Sequence, residues 1–270
     1  MKKKSIVLVA TALMLMASLI VGGTLAYFTD KEAATNEFTL GNVTIDLVEE
    51  QRDGKGGLEE FANDKVLLPI VGSAQGDKEN VEGYNLPTAA NWVDKIVTVD
   101  NEGSQPAYVR VLFAFPADMD DAQSAAEMML HWNYDGSEAA GTWTRTDCGV
   151  QITVGEKAYN VYNYTYNAIL EVDATTASPA ITGLYIDSRV DATVDENGAV
   201  TYSMKNGRGE TVSATYANTA PKLLVLAQGV QSAGFEDQGA DAALTAGFGD
   251  VAENAQTWFD AIEVDERADA

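Results

Sequence analysis

Apolar and polar positions alternate with a period of two along most of the chain, which predicts strands. The pattern is clearest from Phe38 to Val48, where Phe38, Leu40, Val43, Ile45 and Leu47 alternate with Thr39, Thr44 and Asp46. With Gly41-Asn42 as a bulge, residues 38–48 extend roughly 35 Å at about 3.3 Å per residue. A charged, Gly-rich linker covers 49–60. The apolar run 66–71 contains Pro69, which confines it to a sheet edge or strand end. Residues 72–91 read as loop, and 92–100 and 107–115 as two strands joined by Asn101-Glu102-Gly103-Ser104-Gln105-Pro106.

A switch in pattern predicts a helix over 122–130, capped by Asp118 or Asp120 and rich in Ala, Glu and Met. Strands are again predicted at 142–146, 150–154, 158–172, 181–194, 199–204, 211–216 and 221–227. Asp195-Glu196-Asn197-Gly198 supplies the Asn-Gly turn of a tight hairpin. Residues 241–246 and 251–262 read as helices, and 263–270 as a loose acidic tail. Many short strands, long connections and few helices predict a two-sheet β-sandwich. No repeat of 20–50 residues is present, which argues against a solenoid or propeller.

The first 26 residues follow another rule. Lys2, Lys3 and Lys4 precede an uncharged apolar run from Ile6 to Val21, the layout of a secretory signal peptide. Thr24 and Ala26 are the small residues that such a cut requires, so cleavage is expected between Ala26 and Tyr27. The apolar run falls just short of the roughly 17–25 residues that span a bilayer as a helix, which favours cleavage over a permanent anchor. Residues 1–26 are therefore expected to be a cleaved signal peptide that meets the membrane and a signal peptidase only during export. Residues 27–270 form one domain of a size common for a single all-β unit.

Around this junction, Gly22-Gly23-Thr24-Leu25-Ala26, then Tyr27-Phe28-Thr29-Asp30, then Phe38-Thr39-Leu40-Gly41-Asn42-Val43-Thr44-Ile45-Asp46-Leu47 resembles the TasA/camelysin family. The stretch Val97 to Arg110 is similar to clostridial-type relatives. The resemblance implies a leader cut by a dedicated signal peptidase and an all-β, jelly-roll-like β-sandwich, with a few short helices in connections and near the C-terminus. It also implies a secreted, non-enzymatic subunit of biofilm matrix fibres at the cell surface. In that setting residues 27–48 form a donor-strand-like segment whose Phe38, Leu40, Val43, Ile45 and Leu47 fill a groove in the next copy. Head-to-tail repetition then builds an open filament.

Charge and rare residues narrow the chemistry. Removing residues 1–26 leaves 244 residues and takes away three lysines and no acid, so the formal net charge moves from −24 to −27. Such a surface repels nucleic acid and anionic lipid and suits basic partners or divalent cations. The acidic groups Asp118-Asp120-Asp121, Asp191-Asp195-Glu196 and Glu236-Asp237 offer oxygen ligands to calcium, none at EF-hand spacing. Cys148 is the only cysteine, so no intramolecular disulfide forms.

Camelysin-type relatives are grouped with metallopeptidases, yet His131 is the sole histidine and no His-Glu-x-x-His occurs, so neither a zinc triad nor a serine triad is expected. No catalytic residue, metal ligand or cofactor is expected. The expected partners are copies of the same chain and other matrix proteins. Two rivals stand beside the fibre subunit. One is a camelysin-like metallopeptidase. The other is an adhesin or carbohydrate-binding module using the strip Tyr162, Tyr164 and Tyr166, although such strips are more often core.

Overall fold

The computed structural model describes residues 24–27, 43–62, 67–70, 76–120, 128–132, 142–216 and 222–268, with backbone alone for 24–27 and 262–268. In chain order come β1 (Thr24–Tyr27), β2 (Ile45–Arg52), β3 (Leu58–Glu60), β4 (Lys78–Val81), β5 (Tyr84–Pro87), β6 (Val93–Asp94), β7 (Ile96–Asn101) and β8 (Ala107–Pro116). After these follow β9 (Leu130–Trp132), β10 (Trp143–Val154), β11 (Lys157–Tyr166), β12 (Gly183–Ile186), β13 (Asp191–Val194), β14 (Val200–Lys205), β15 (Thr211–Tyr216) and β16 (Leu224–Gln231). Two helices close the order, α1 (Ala240–Phe248) and α2 (Val251–Ala268).

The protein is an all-β sandwich of antiparallel sheets. Its largest sheet has the order β1-β16-β8-β11-β10; three-stranded sheets β3-β2-β7, β6-β12-β9 and β13-β14-β15 and the hairpin β4-β5 pack around it. β8 is buried at all ten positions, because both faces of the large sheet are covered. On one face Val109, Val111, Phe113 and Phe115 meet Val43, Ile45, Leu47, Val97 and Val99 from β2, β7 and the residue leading into β2. On the other, Leu112, Ala114, Leu224 and Leu226 meet Val251, Ala255 and Phe259 of α2. Tyr108 and Val230 meet Ala243 and Leu244 of α1. This explains why Ala107–Pro116 is nearly continuous in apolar residues: a strand sandwiched on both sides has no polar face to show.

Asn101 fixes the connection between β7 and β8. Its Nδ2 donates to the carbonyls of Gln105 at 2.9 Å and Leu170 at 3.0 Å, and its Oδ1 accepts from the Gly103 N–H at 3.0 Å. The Asp195–Gly198 turn forms as expected: Asp195 Oδ1 accepts from the N–H groups of Asn197 and Ala199 at 2.8 and 2.9 Å. Tyr162, Tyr164 and Tyr166 all face the core.

Several elements differ from the pattern. Of the stretch 158–172 the continuous strand ends at Tyr166, with one further bridge from Leu170 to Ala107, and 181–194 splits into β12 and β13 around the Asp187–Val190 turn. The expected pair 142–146 and 150–154 is one strand with a bulge between Asp147 and Val150. The linker 49–60 continues β2 to Arg52 and turns into β3, and the loop 72–91 contains the β4-β5 hairpin. Of the helix expected over 122–130, residues 122–127 lie outside the described residues, and Leu130 opens a strand. Residues 263–268 continue α2. Pro69 sits at a bridge to Ile186, and Ile70 donates its N–H to the Ile186 carbonyl at 2.9 Å.

Candidate functional site

The two edges of the large sheet are treated differently. At the β10 edge, α2 lies alongside, and Gln256 Oε1 accepts from the Thr153 N–H at 2.9 Å while its Nε2 donates to the Thr153 carbonyl at 2.9 Å. A side-chain amide thereby stands where a further strand's peptide group would be. The β16 edge carries β1 instead, antiparallel, with Thr24 opposite Ala227, Leu25 opposite Leu226, Ala26 opposite Val225 and Tyr27 opposite Leu224. The expected cleavage point between Ala26 and Tyr27 therefore falls inside a paired strand.

Beyond the β1 rungs, β16 is tied inward. Gln228 is buried, and its Oε1 accepts from Arg110 Nε at 2.7 Å. Gly229 lies so close beneath β2 that a Cβ there would stand 2.8 Å from Ile45 Cγ2. That approach requires glycine. Of the residues expected in the donor strand, Val43, Ile45 and Leu47 are buried in this chain's own core, and β2 pairs with β7 in the register Ile45 opposite Asn101 and Leu47 opposite Val99. Phe38 and Leu40 lie outside the described residues. Thr24, Ala26 and Tyr27 all lie on β1.

The sole histidine is held in a structural stack. Its ring lies 4.9 Å from Tyr185 at an interplanar angle of 13°, and Nε2 is 3.1 Å from Asp187 Oδ2. Burial lowers the His131 pKa, with Asp187 opposing that effect. Asp187 is occupied by Arg189, whose Nε and Nη2 donate to its two oxygens at 2.8 and 2.9 Å. Those bonds, ahead of the other causes, bring its carboxyl down to about 2. No group of three His, Cys, Asp or Glu side chains that could hold a metal occurs among the described residues.

Asp118 and Asp120 are engaged internally too. Asp118 accepts from the Tyr216 hydroxyl at 2.6 Å and from Lys157 Nζ at 2.8 Å. Asp120 Oδ2 accepts from the Tyr162 hydroxyl at 2.6 Å and from Asn160 Nδ2 at 2.9 Å. Asp121 lies outside the described residues. Cys148 sits in the β10 bulge, its Sγ 3.5 Å from the Thr146 carbonyl, and burial raises its thiol pKa.

The sequence pattern showed neither sheet edge. Gln256 is one of several amide side chains in the sequence, and nothing local marks it as the partner of a residue 103 positions away.

Fold and site together define an antiparallel β-sandwich with one sheet edge capped at Thr153 by a side chain and the other paired with an extended segment of the same chain. Residues 1–52 match the family model described as Camelysin metallo-endopeptidase, which bears out the resemblance to the TasA/camelysin family over that stretch. No curated protein and no solved structure matches the chain. The zinc implied by that description is not fitted by the described residues, since His131 is stacked and bonded to a carboxylate already committed to an arginine.

Proposed function

We propose that the protein is a non-enzymatic, secreted structural subunit of the cell surface or extracellular matrix that assembles with copies of itself by strand pairing at the β16 edge. The observation that carries this is the antiparallel register between Thr24–Tyr27 and Leu224–Ala227. It demonstrates an edge whose backbone groups accept a short extended segment of this sequence. An unpaired edge is a template for addition of another strand, and main-chain hydrogen bonds supply much of the affinity.

The donor is narrower than the 27–48 segment. Val43, Ile45 and Leu47 serve the chain's own core, so Phe38 and Leu40 are the apolar residues offered to the next copy. Leu224, Val225, Leu226 and Ala227 line the receiving edge, all buried. The strip Tyr162, Tyr164 and Tyr166 is packed inside, which removes the surface that a sugar-binding alternative needs.

The test is to purify the chain beginning at Tyr27 and follow it by electron microscopy and sedimentation across salt, pH and calcium concentrations. Filaments are expected, and a Phe38→Ser, Leu40→Ser variant is expected to remain monomeric. Monomers alone under every condition overturn the proposal.

A further inference from the structure

We propose that the end of the leader is an intramolecular plug: in the uncut precursor Thr24–Ala26 occupy the β16 edge, and cleavage after Ala26 both releases the leader and vacates the edge. This rests on the strand-pairing assembly proposed above and adds its regulation.

The register carries the inference. Three of the four β1 residues that face β16 belong to the leader, opposite Ala227, Leu226 and Val225, and only the Tyr27–Leu224 rung lies beyond the cut. Hydrolysis of the Ala26–Tyr27 peptide bond adds one water, leaves a carboxylate on Ala26 and an amine on Tyr27, and removes most of the strand. One remaining rung does not hold an extended segment, because ordering a residue's backbone costs about 1–2 kcal/mol while a hydrogen bond returns about 0.5–1.5 kcal/mol.

Before the cut, the plug competes with advantage. It is tethered to β2, which is anchored in the same core, and a tethered strand acts at an effective concentration in the millimolar range. A donor from another copy, present at far lower concentration, does not displace it. After the cut the edge-facing N–H and C=O groups of Leu224–Ala227 have lost their partners, and buried backbone groups demand replacements. At the opposite edge Gln256 already serves Thr153. Processing thus frees one edge only, and the filament gains a direction.

The experiment uses the full chain, residues 1–270, purified uncut in detergent, and compares it before and after cutting by the signal peptidase. Amide hydrogen exchange reads the edge directly, and electron microscopy reads assembly. The plug predicts that the edge-facing amides of Leu224–Ala227 exchange about tenfold or more faster after the cut and that filaments grow only from cut chains. An Ala26→Pro precursor, whose proline lacks the N–H that faces Val225 in the pairing, is expected to show fast exchange without any cut. Equal exchange before and after cutting, or filaments from the uncut chain, overturns the plug. If exchange accelerates as expected but no filament forms, the plug stands and the assembly proposal is the one that fails.

Discussion

Gln256 completes Thr153 as a neighbouring strand would, accepting from its N–H and donating to its carbonyl, both at 2.9 Å. Edge strands invite association unless their backbone groups are covered, and α2 covers this one at Thr153 through a single carboxamide. Asp260 Oδ1 holds that amide in place by accepting from the same Nε2 at 2.7 Å. Gln256→Ala is therefore expected to lower stability by about 1–2 kcal/mol and to give association that the parent chain lacks. Urea unfolding measures the first effect. Sedimentation of the Phe38→Ser, Leu40→Ser background, with the donor segment disabled, isolates the second.

The close approach of Ile45 to Gly229 tests whether β2 is a fixed member of its own sandwich. An added Cβ would meet Ile45 Cγ2 at 2.8 Å and Val43 Cγ1 at 3.3 Å, so Gly229→Ala is expected to cost about 1–3 kcal/mol through overpacking. Ile45→Val in the same chain removes Cδ1, which would stand 3.2 Å from that Cβ, and keeps Cγ2, so it is expected to return only part of that loss. A double-mutant cycle by urea denaturation gives the coupling. Strict additivity would mean that Ile45 does not pack over Gly229.

Much of this architecture is legible in the sequence because its signals are local. The Asp195–Gly198 turn carries its own capping carboxylate, and the apolar density of Ala107–Pro116 announces a strand covered on both faces. The β4-β5 hairpin is hidden because three of the four residues of β4 are exposed and show no alternation, while its turn depends on Gly83 at φ +97° and Glu82 at φ +50°. The two sheet edges are hidden for a different reason. Closure of β10 pairs residues 103 positions apart, and the β16 register joins residues of the leader region to a strand near the C-terminus. The alternation from Phe38 to Leu47 predicted a strand correctly over Ile45–Leu47, but periodicity does not say whose sheet a strand joins.

Asp120 provides an acid-side prediction. Its Oδ1 is buried without a hydrogen-bond partner, while Oδ2 takes the Tyr162 hydroxyl at 2.6 Å. Burial, ahead of the other causes, raises its pKa. Tyr162→Phe removes the stronger donor and leaves the carboxylate to Asn160 alone, at an expected cost of about 1–3 kcal/mol at neutral pH. A carboxyl raised in the folded state binds its proton earlier than in the unfolded chain, so acidification favours folding at this site. The deficit of Tyr162→Phe is accordingly expected to shrink as the pH falls toward that of Asp120 titration. Thermal unfolding of both chains at neutral and mildly acidic pH checks it.

The alkaline limb of stability should be governed by Lys95. The side chain is fully buried, ion-paired with Glu49, and its Nζ lies 4.0 Å above the Phe61 ring. Burial pulls the ammonium from 10.5 down to about 8, against the opposing attraction of Glu49. The folded state therefore sheds this proton at lower pH than the unfolded state does. Between about 8 and 10.5 the unfolded chain binds more protons, and stability rises with pH across that window as the cost of burying a charge is relieved. Tyr162 and Tyr216 act in the other direction: burial first, then bonds to Asp120 and Asp118, raise their pKa values above the ordinary 10.0. Above that point the unfolded chain loses phenolic protons that the folded chain keeps, and stability falls. Urea midpoints recorded against pH are expected to climb from about 8 and then turn over near 10. Replacing the pair together, Lys95→Met with Glu49→Leu, leaves no orphaned charge and is expected to abolish the climb while keeping the fall. Profiles that run parallel in the two chains would show that Lys95 does not titrate within the fold.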